Sequence, residues 1–207
     1  MSRTKIKICG LTRMQDIEYV NEALPDFIGF VFAKSHRQIS HEAAAQLKNV
    51  LDSKIKAVGV FVNESIETIS NLCCRGVIDY VQLHGDEDAE YISSLRQRVS
   101  TPIIKAIRVK DVNSLKATQE LFCDFLLLDT YSDNEFGGTG KPFNWEFVNG
   151  IDKPFFLAGG INFKNAKAAI ESTKPYCLDV SSGVETNGIK DENKIHQLVK
   201  LVRGYCM

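Results

Sequence analysis

Short apolar runs recur along the chain, separated by longer amphipathic stretches. The runs begin near Lys5 (KIKIC), Phe27 (FIGFVF), Lys56 (KAVGVF), Asp79 (DYVQL), Ile103 (IIKAI), Phe125 (FLLLD), Phe155 (FFLAGG) and Cys177 (CLDVS). Each is rich in Val, Ile, Phe and Leu, the signature of strands buried on both faces. Their starts lie 22, 29, 23, 24, 22, 30 and 22 residues apart, the size of one βα unit. The intervening segments read as helices. Met14–Ala23 places Ile17, Val20 and Ala23 on one face, and Ser40 can cap a helix through Leu51. Asn63 can cap one through Leu72 that buries Ile66 and Ile69. Asp88–Leu95, Val112–Leu121, Asn165–Ile170 and Asp191–Val202 continue the pattern, with a short helix at Trp145–Val148.

Strict alternation of eight strands with helices allows a doubly wound open sheet or a closed (β/α)8 barrel. The even spacing predicts the barrel, in one domain over residues 1–207, since no linker rich in Pro, Gly or Ser interrupts the series. The first strand ends in Cys9-Gly10-Leu11-Thr12, with none of the GxGxxG pattern of a dinucleotide fold.

The strands also alternate in polarity. Ile6 and Ile8 share one face of KIKIC, and Lys5, Lys7 and Cys9 the other; Val81 and Leu83 alternate with Gln82 and His84. In a barrel the apolar set faces the helices. Lys7, Cys9, Gln82, His84, Lys105 and Asp179 are therefore expected inside. Buried charges need partners, so Lys7 or Lys105 should meet an acid. Such a layer can also be purely structural.

Composition removes several function classes. Lys+Arg is 25 and Asp+Glu 26, a net charge of −1, without the basic footprint of a nucleic-acid binder. No apolar run reaches the roughly 18 residues of a membrane span, and MSRTKIKICG lacks a secretory leader. The six cysteines form no CxxC pair and the four histidines are scattered, so no metal site is expected. Free thiols suit a reducing cytoplasm.

Barrel enzymes place their chemistry at the C-terminal ends of strands and in the loops that follow. Cys9, His84 and Asp129 end strands one, four and six; Lys34-Ser35-His36-Arg37 follows strand two. The loop Thr130–Lys141 carries Gly137-Gly138-Thr139-Gly140. Gly159-Gly160 and Ser182-Gly183, after strands seven and eight, occupy the recurrent phosphate position of this fold, where small residues let backbone N–H groups approach an anion. They can also be ordinary tight turns. Arg37 could grip a carboxylate with its planar fork, or simply be solvated. A thiol of depressed pKa is a competent base and a carboxylic acid of raised pKa a competent acid. Cys9 and Asp129 could supply this pair, or be a buried small hydrophobe and a loop cap.

In order along the chain stand KICGLTR, GFVF with Ser35-x-Arg37, VGVF, VQLHG, the DTY…GGTG…F-x-W segment from Asp129 to Trp145, LAGGI, and DVSSGVE…G-x-KD from Asp179 to Asp191. Over residues 5 to about 194 this resembles the phosphoribosylanthranilate isomerases of tryptophan biosynthesis. The resemblance implies a (β/α)8 barrel and an Amadori rearrangement of N-(5-phosphoribosyl)anthranilate to 1-(2-carboxyphenylamino)-1-deoxyribulose 5-phosphate. It implies Cys9 as general base, Asp129 as general acid and Arg37 on the anthranilate carboxylate, with the GG and SSG loops on the phosphate. His84 and Asp179, facing the same mouth, are expected to contact substrate. The cationic imine of the ring-opened substrate is the electron sink, so no cofactor is expected. The partner is a small-molecule substrate, with neither nucleic acid nor membrane, and the chain is expected as a monomer or homodimer and as a single-function protein.

Two positions depart from the family pattern. His36 stands where S-P-R is common and should loosen the loop that carries Arg37; Asn144 replaces the acid of F-D-W. Other readings remain: another sugar-phosphate isomerase or epimerase barrel, or a catalytically silent barrel that binds a phosphorylated ligand.

Overall fold

The computed structural model describes residues 3–109, 121–130 and 151–204. Eight parallel strands close a barrel in chain order: β1 (Lys5–Cys9), β2 (Phe27–Val31), β3 (Lys56–Phe61), β4 (Tyr80–Leu83), β5 (Ile103–Val109), β6 (Phe125–Thr130), β7 (Phe155–Leu157) and β8 (Cys177–Val180). β8 returns to β1, with Lys7 opposite Asp179 on one side and Phe27 on the other. The described helices are α1 (Met14–Ala23), α2 (His41–Asn49), α3 (Ile66–Cys74), α4 (Ala89–Arg96), α5 (Ala166–Thr173) and α6 (Glu192–Gly204). Nearly all of the helix expected at Val112–Leu121, all of that at Trp145–Val148, most of the loop Thr130–Lys141, and Asn144 lie outside the described residues.

Local chemistry explains the helix starts. The Ser40 and Asp88 side chains accept from the N–H groups of Ala43 at 3.2 Å and Tyr91 at 2.8 Å, taking up donors that the first helical turn leaves free. The third start corrects an expectation. Ser65, not Asn63, caps α3, accepting from Thr68 N–H at 3.1 Å. Asn63 sits in the left-handed region at φ 51°, and its Oδ1 accepts from Asp86 N–H at 2.8 Å. Its side chain pins the loop after β4 instead.

The N-terminal end of the barrel is tied by a repeated device. Asp26, Asp79 and Asp124 each precede an even-numbered strand. Each accepts from a backbone N–H of the preceding strand: Ile6 at 3.0 Å, Ala57 at 2.7 Å and Ile103 at 2.7 Å. Arg3, Lys48 and Arg96 pair with the same carboxylates. These contacts stabilise the end remote from the strand-end loops.

Two apolar clusters follow from strand alternation. The larger lies between strands and helices and includes Ile6, Ile8, Val81, Leu83, Ile103, Leu126 and Leu128. The smaller fills the barrel with Phe27, Val58, Ile104, Ala106, Leu127, Phe156, Ala158 and Cys177. Tyr80, Phe125 and Tyr176 pack against it near the N-terminal end, with Phe27–Tyr80 centroids 5.2 Å apart and Phe125–Tyr176 4.8 Å apart. Polar side chains therefore concentrate toward the other end. Lys105 corrects the expectation of an inward lysine. It shares the parity of Ile103 and Val109, which belong to the outer cluster, while Ile104 and Ala106 point inward. Its ammonium donates to Glu87 at 2.7 Å and to Gly85 O at 2.7 Å, holding the loop after β4 against the outside of the barrel.

Candidate active site

Cys9 ends β1 and is buried. Gly29, its register partner on β2, leaves the space the thiol needs: a Cβ on Gly29 would stand 2.6 Å from Cys9 Sγ. Beneath Cys9, Lys7 is fully buried and donates to both carboxylate oxygens of Asp179, at 3.0 and 2.9 Å. Burial opposes the Lys7 charge, but Asp179 and the Cys9 sulfur together outweigh burial and hold its pKa above the ordinary lysine value. The Lys7 charge also favours the Cys9 thiolate. The expected meeting of a buried lysine with an acid is thus present, and Lys7 and Asp179 pair inside the barrel.

The electrostatics of Cys9 run against a ready-made thiolate. Burial raises its pKa above the ordinary thiol value; Lys7 and Lys190 pull downward without cancelling burial, and Asp179 adds to the rise. In the free protein burial therefore favours the thiol over the thiolate. A further positive charge at the mouth would favour ionisation.

Asp129 ends the inward series of β6 and is buried. His84 Nε2 lies 3.4 Å from Asp129 Oδ2, and His84 Nδ1 lies 2.9 Å from Gln82 Nε2. With Gln82 as donor, Nδ1 is an acceptor and the ring proton sits on Nε2, facing Asp129. β6 and β1 are separated by β7 and β8, so acid and thiol approach the mouth from different sides.

Arg37 is half-buried and paired with an acid. Its Nε and Nη2 donate to Glu185 Oε1 and Oε2, both at 2.8 Å. The turn that carries it is closed by Arg37 N–H on Ser35 Oγ at 3.2 Å and Gln38 N–H on Ser35 O at 3.1 Å. The side chain crosses Gly10, where a Cβ would lie 2.4 Å from Arg37 Cδ. At φ +85° Gly10 also adopts a conformation that L side chains rarely take. Arg37 is thereby laid beside Cys9.

Glu185 and Lys190 belong to a hairpin that the apolar pattern did not reveal. β9 (Glu185–Thr186) and β10 (Ile189–Lys190) pair antiparallel, with Lys190 opposite Glu185. The signal available was Asn187-Gly188, whose φ values of 53° and 77° are those a two-residue hairpin turn requires. Lys190 is buried and donates to Glu185 at 2.6 Å and to Ser181 O at 3.0 Å, and Ser181 Oγ donates to Cys9 O at 3.0 Å. Burial alone would raise the Glu185 pKa; hydrogen bonds from Arg37 and Lys190 override it and bring it to about 2. Burial lowers Lys190, and Glu185 offsets part of that.

The two small-residue loops converge. Gly159 and Gly160 have φ of 87° and 67°, and a Cβ on Gly183 would fall 2.0 Å from Ile161 O. Ser182–Val184 forms a 3-10 turn, whose first hydrogen bond is Val184 N–H on Ser181 O. The N–H groups of Ser182 and Gly183 precede that bond, so the turn leaves them without acceptors.

Fold and mouth together define a (β/α)8-barrel enzyme with its ionisable groups at the C-terminal ends of the strands. A family model described as N-(5'phosphoribosyl)anthranilate (PRA) isomerase matches residues 6–201. The chain belongs to the phosphoribosylanthranilate isomerase family, and its activity is the isomerisation of N-(5'-phosphoribosyl)anthranilate in tryptophan biosynthesis. The N-(5'-phosphoribosyl)anthranilate isomerase of Endomicrobium trichonymphae is 51% identical over 200 residues, covering 97% of this chain and 98% of the relative. The crystal structure of the Thermotoga maritima isomerase aligns with a TM-score of 0.88 at 34% identity, over 97% of this chain and 99% of that one. That isomerase is dimeric. A phosphoribosylanthranilate isomerase in complex with reduced 1-(o-carboxyphenylamino)-1-deoxyribulose 5-phosphate aligns at 0.83 with 33% identity, over 97% and 99% of the two chains.

Proposed function

We propose that the rearrangement runs by acid–base catalysis, with Asp129 as acid and Cys9 as base. The observation that carries this is the thiol buried beside Lys7 and Lys190 on the mouth where Asp129 meets His84. Asp129 gives its proton to the ribose ring oxygen. The C1'–O bond breaks, and the anthranilate nitrogen lone pair forms a cationic C=N bond. Cys9, ionised in the field of that cation, takes the proton from C2'. The C–H pair becomes the C1'=C2' bond and the imine pair returns to nitrogen. The enolamine then loses its hydroxyl proton and gains one at C1', giving the ketone. The imine cation is the electron sink, so the sequence of steps uses no metal or cofactor. His84 and Asp179 contact the substrate from the mouth, His84 beside the acid and Asp179 below the base.

Arg37 takes the anthranilate carboxylate. A charge-assisted hydrogen bond contributes about 1.5–3 kcal/mol, so Arg37→Ala raises KM by roughly one to two decades. Arg37→Lys recovers only part of this, because the fork is lost. Steady-state kinetics on both variants check the assignment; an unchanged KM removes Arg37 from the site.

Gly159, Gly160, Ser182 and Gly183 take the phosphate on backbone N–H groups. Gly183→Ala drives a methyl into Ile161 O, and relieving that overlap, at a cost of about 1–3 kcal/mol, parts the two loops. KM rises roughly tenfold or more, and inorganic phosphate at millimolar concentration, a competitive inhibitor of the parent, inhibits the variant weakly. Absence of phosphate competition in the parent chain refutes this assignment.

The chain acts as one barrel unit, as a monomer or homodimer, on a small molecule without nucleic acid or membrane. No described helix is long and apolar enough to cross a membrane. The free thiols of Cys9, Cys73, Cys74, Cys123 and Cys177 support a cytoplasmic setting.

A further inference from the structure

Arg37 presents two edges on which a carboxylate can be held by paired N–H groups: Nε with Nη2, and Nη1 with Nη2. Glu185 occupies the first at 2.8 Å on both bonds. Nη1 makes no hydrogen bond among the described residues. Two outcomes are open when a substrate carboxylate arrives: it displaces Glu185, or it takes the second edge while Glu185 stays.

The surroundings of Glu185 decide between them. Its side chain is 7% exposed, and Lys190, itself 2% exposed, donates to it at 2.6 Å. Displacement would strip two charge-assisted bonds from a buried carboxylate and leave it on Lys190 alone. Water has little access to replace those two bonds at a carboxylate so buried, so keeping Glu185 in place costs less than displacing it. The carboxylate also stands at the start of a two-residue strand locked by the Asn187-Gly188 turn, with Lys194 Nζ on its backbone oxygen at 2.7 Å. It has little room to withdraw.

We propose that Glu185 is a positioning residue for substrate recognition: fixed by Lys190, it holds the Nε/Nη2 edge of Arg37 and presents the Nη1/Nη2 edge to the substrate carboxylate. The proposal rests on the reading of Arg37 as the carboxylate ligand. It makes the β9–β10 hairpin part of the specificity apparatus. Discrimination for an ortho-carboxylated aromatic amine then comes from a Lys190–Glu185–Arg37 chain across two loops distant in sequence. Gly10 completes the arrangement by leaving room for the Arg37 stem.

The test uses Glu185→Gln, which keeps the shape and removes the charge, and Glu185→Ala as a second variant, with Arg37→Ala as the control. Two ligands are compared: reduced 1-(o-carboxyphenylamino)-1-deoxyribulose 5-phosphate, and the same molecule without its carboxyl group. Glu185→Gln should weaken the carboxylated ligand about tenfold and leave the decarboxylated one within about twofold. KM should rise while kcat stays within about threefold. In the Arg37→Ala background Glu185→Gln should have no further effect on this discrimination, since paired groups act as one unit. Equal weakening of both ligands makes Glu185 a structural residue and overturns the proposal. So does an unchanged affinity of both Glu185 variants for the carboxylated ligand while Arg37→Ala weakens it. If Arg37→Ala itself leaves the carboxylated ligand unaffected, the reading of Arg37 falls first, and this proposal with it.

Discussion

Replacing Cys9 by serine lowers turnover by at least about two decades, with substrate affinity close to that of the parent chain. Positioned acid–base groups supply 10²–10⁴-fold each. Burial already lifts the Cys9 thiol above its ordinary pKa, and a hydroxyl in the same place is far harder to ionise. The cations that assist a thiolate, Lys7 and Lys190, remain in the variant. The loss therefore reports the basicity of the atom and not the field around it. Serine is smaller than cysteine and Gly29 leaves space beside it, so the barrel stays intact. Turnover and KM of the purified variant check this, with circular dichroism as the control on folding. Retention of more than half the parent turnover contradicts the thiolate base.

Asp129→Asn produces a loss of similar size, roughly 10²–10⁴-fold in turnover. The amide matches the carboxyl in shape and still faces His84 Nε2 through its oxygen. It cannot deliver a proton to the ribose oxygen, so ring opening, which precedes every later step, is what slows. Asp129→Ala should lose at least as much. If Asp129→Asn turns over within about threefold of the parent, Asp129 is not the acid.

Much of the fold was legible because eight short runs rich in apolar residues recur at nearly even spacing. The inward parity of Lys7 and Cys9 was legible because β1 alternates sharply between isoleucine and polar residues. β5 offered no such contrast. Both faces of IIKAI are apolar, and its lysine lies outward under a loop whose acid, Glu87, is 18 residues away in sequence. The start of α3 was misplaced by two residues because Asn63 and Ser65 are both good caps, and only the tertiary demand of Asp86 N–H on Asn63 chooses between them. The β9–β10 hairpin has two residues per strand, too few for alternation to show. Glu185 went without a role for that reason. Its pairing with Arg37 spans 148 residues, a distance over which pattern carries no information. Cys9 and Asp129 stood out by their strand ends, but the direction of the thiol's shift depends on burial beside Lys7, Lys190 and Asp179, which the sequence does not order in space.

The most direct measurement of the central claim is a crystal structure of this chain with reduced 1-(o-carboxyphenylamino)-1-deoxyribulose 5-phosphate bound. The account predicts Cys9 Sγ about 3–3.5 Å from C2', the separation of a near-attack arrangement, with Asp129 on the opposite side at the C4' hydroxyl, the former ring oxygen. The phosphate should lie on the N–H groups of Gly160 and Gly183, and the carboxylate on Arg37. A ligand seated with its phosphate elsewhere, or with Cys9 turned away from C2', would contradict it.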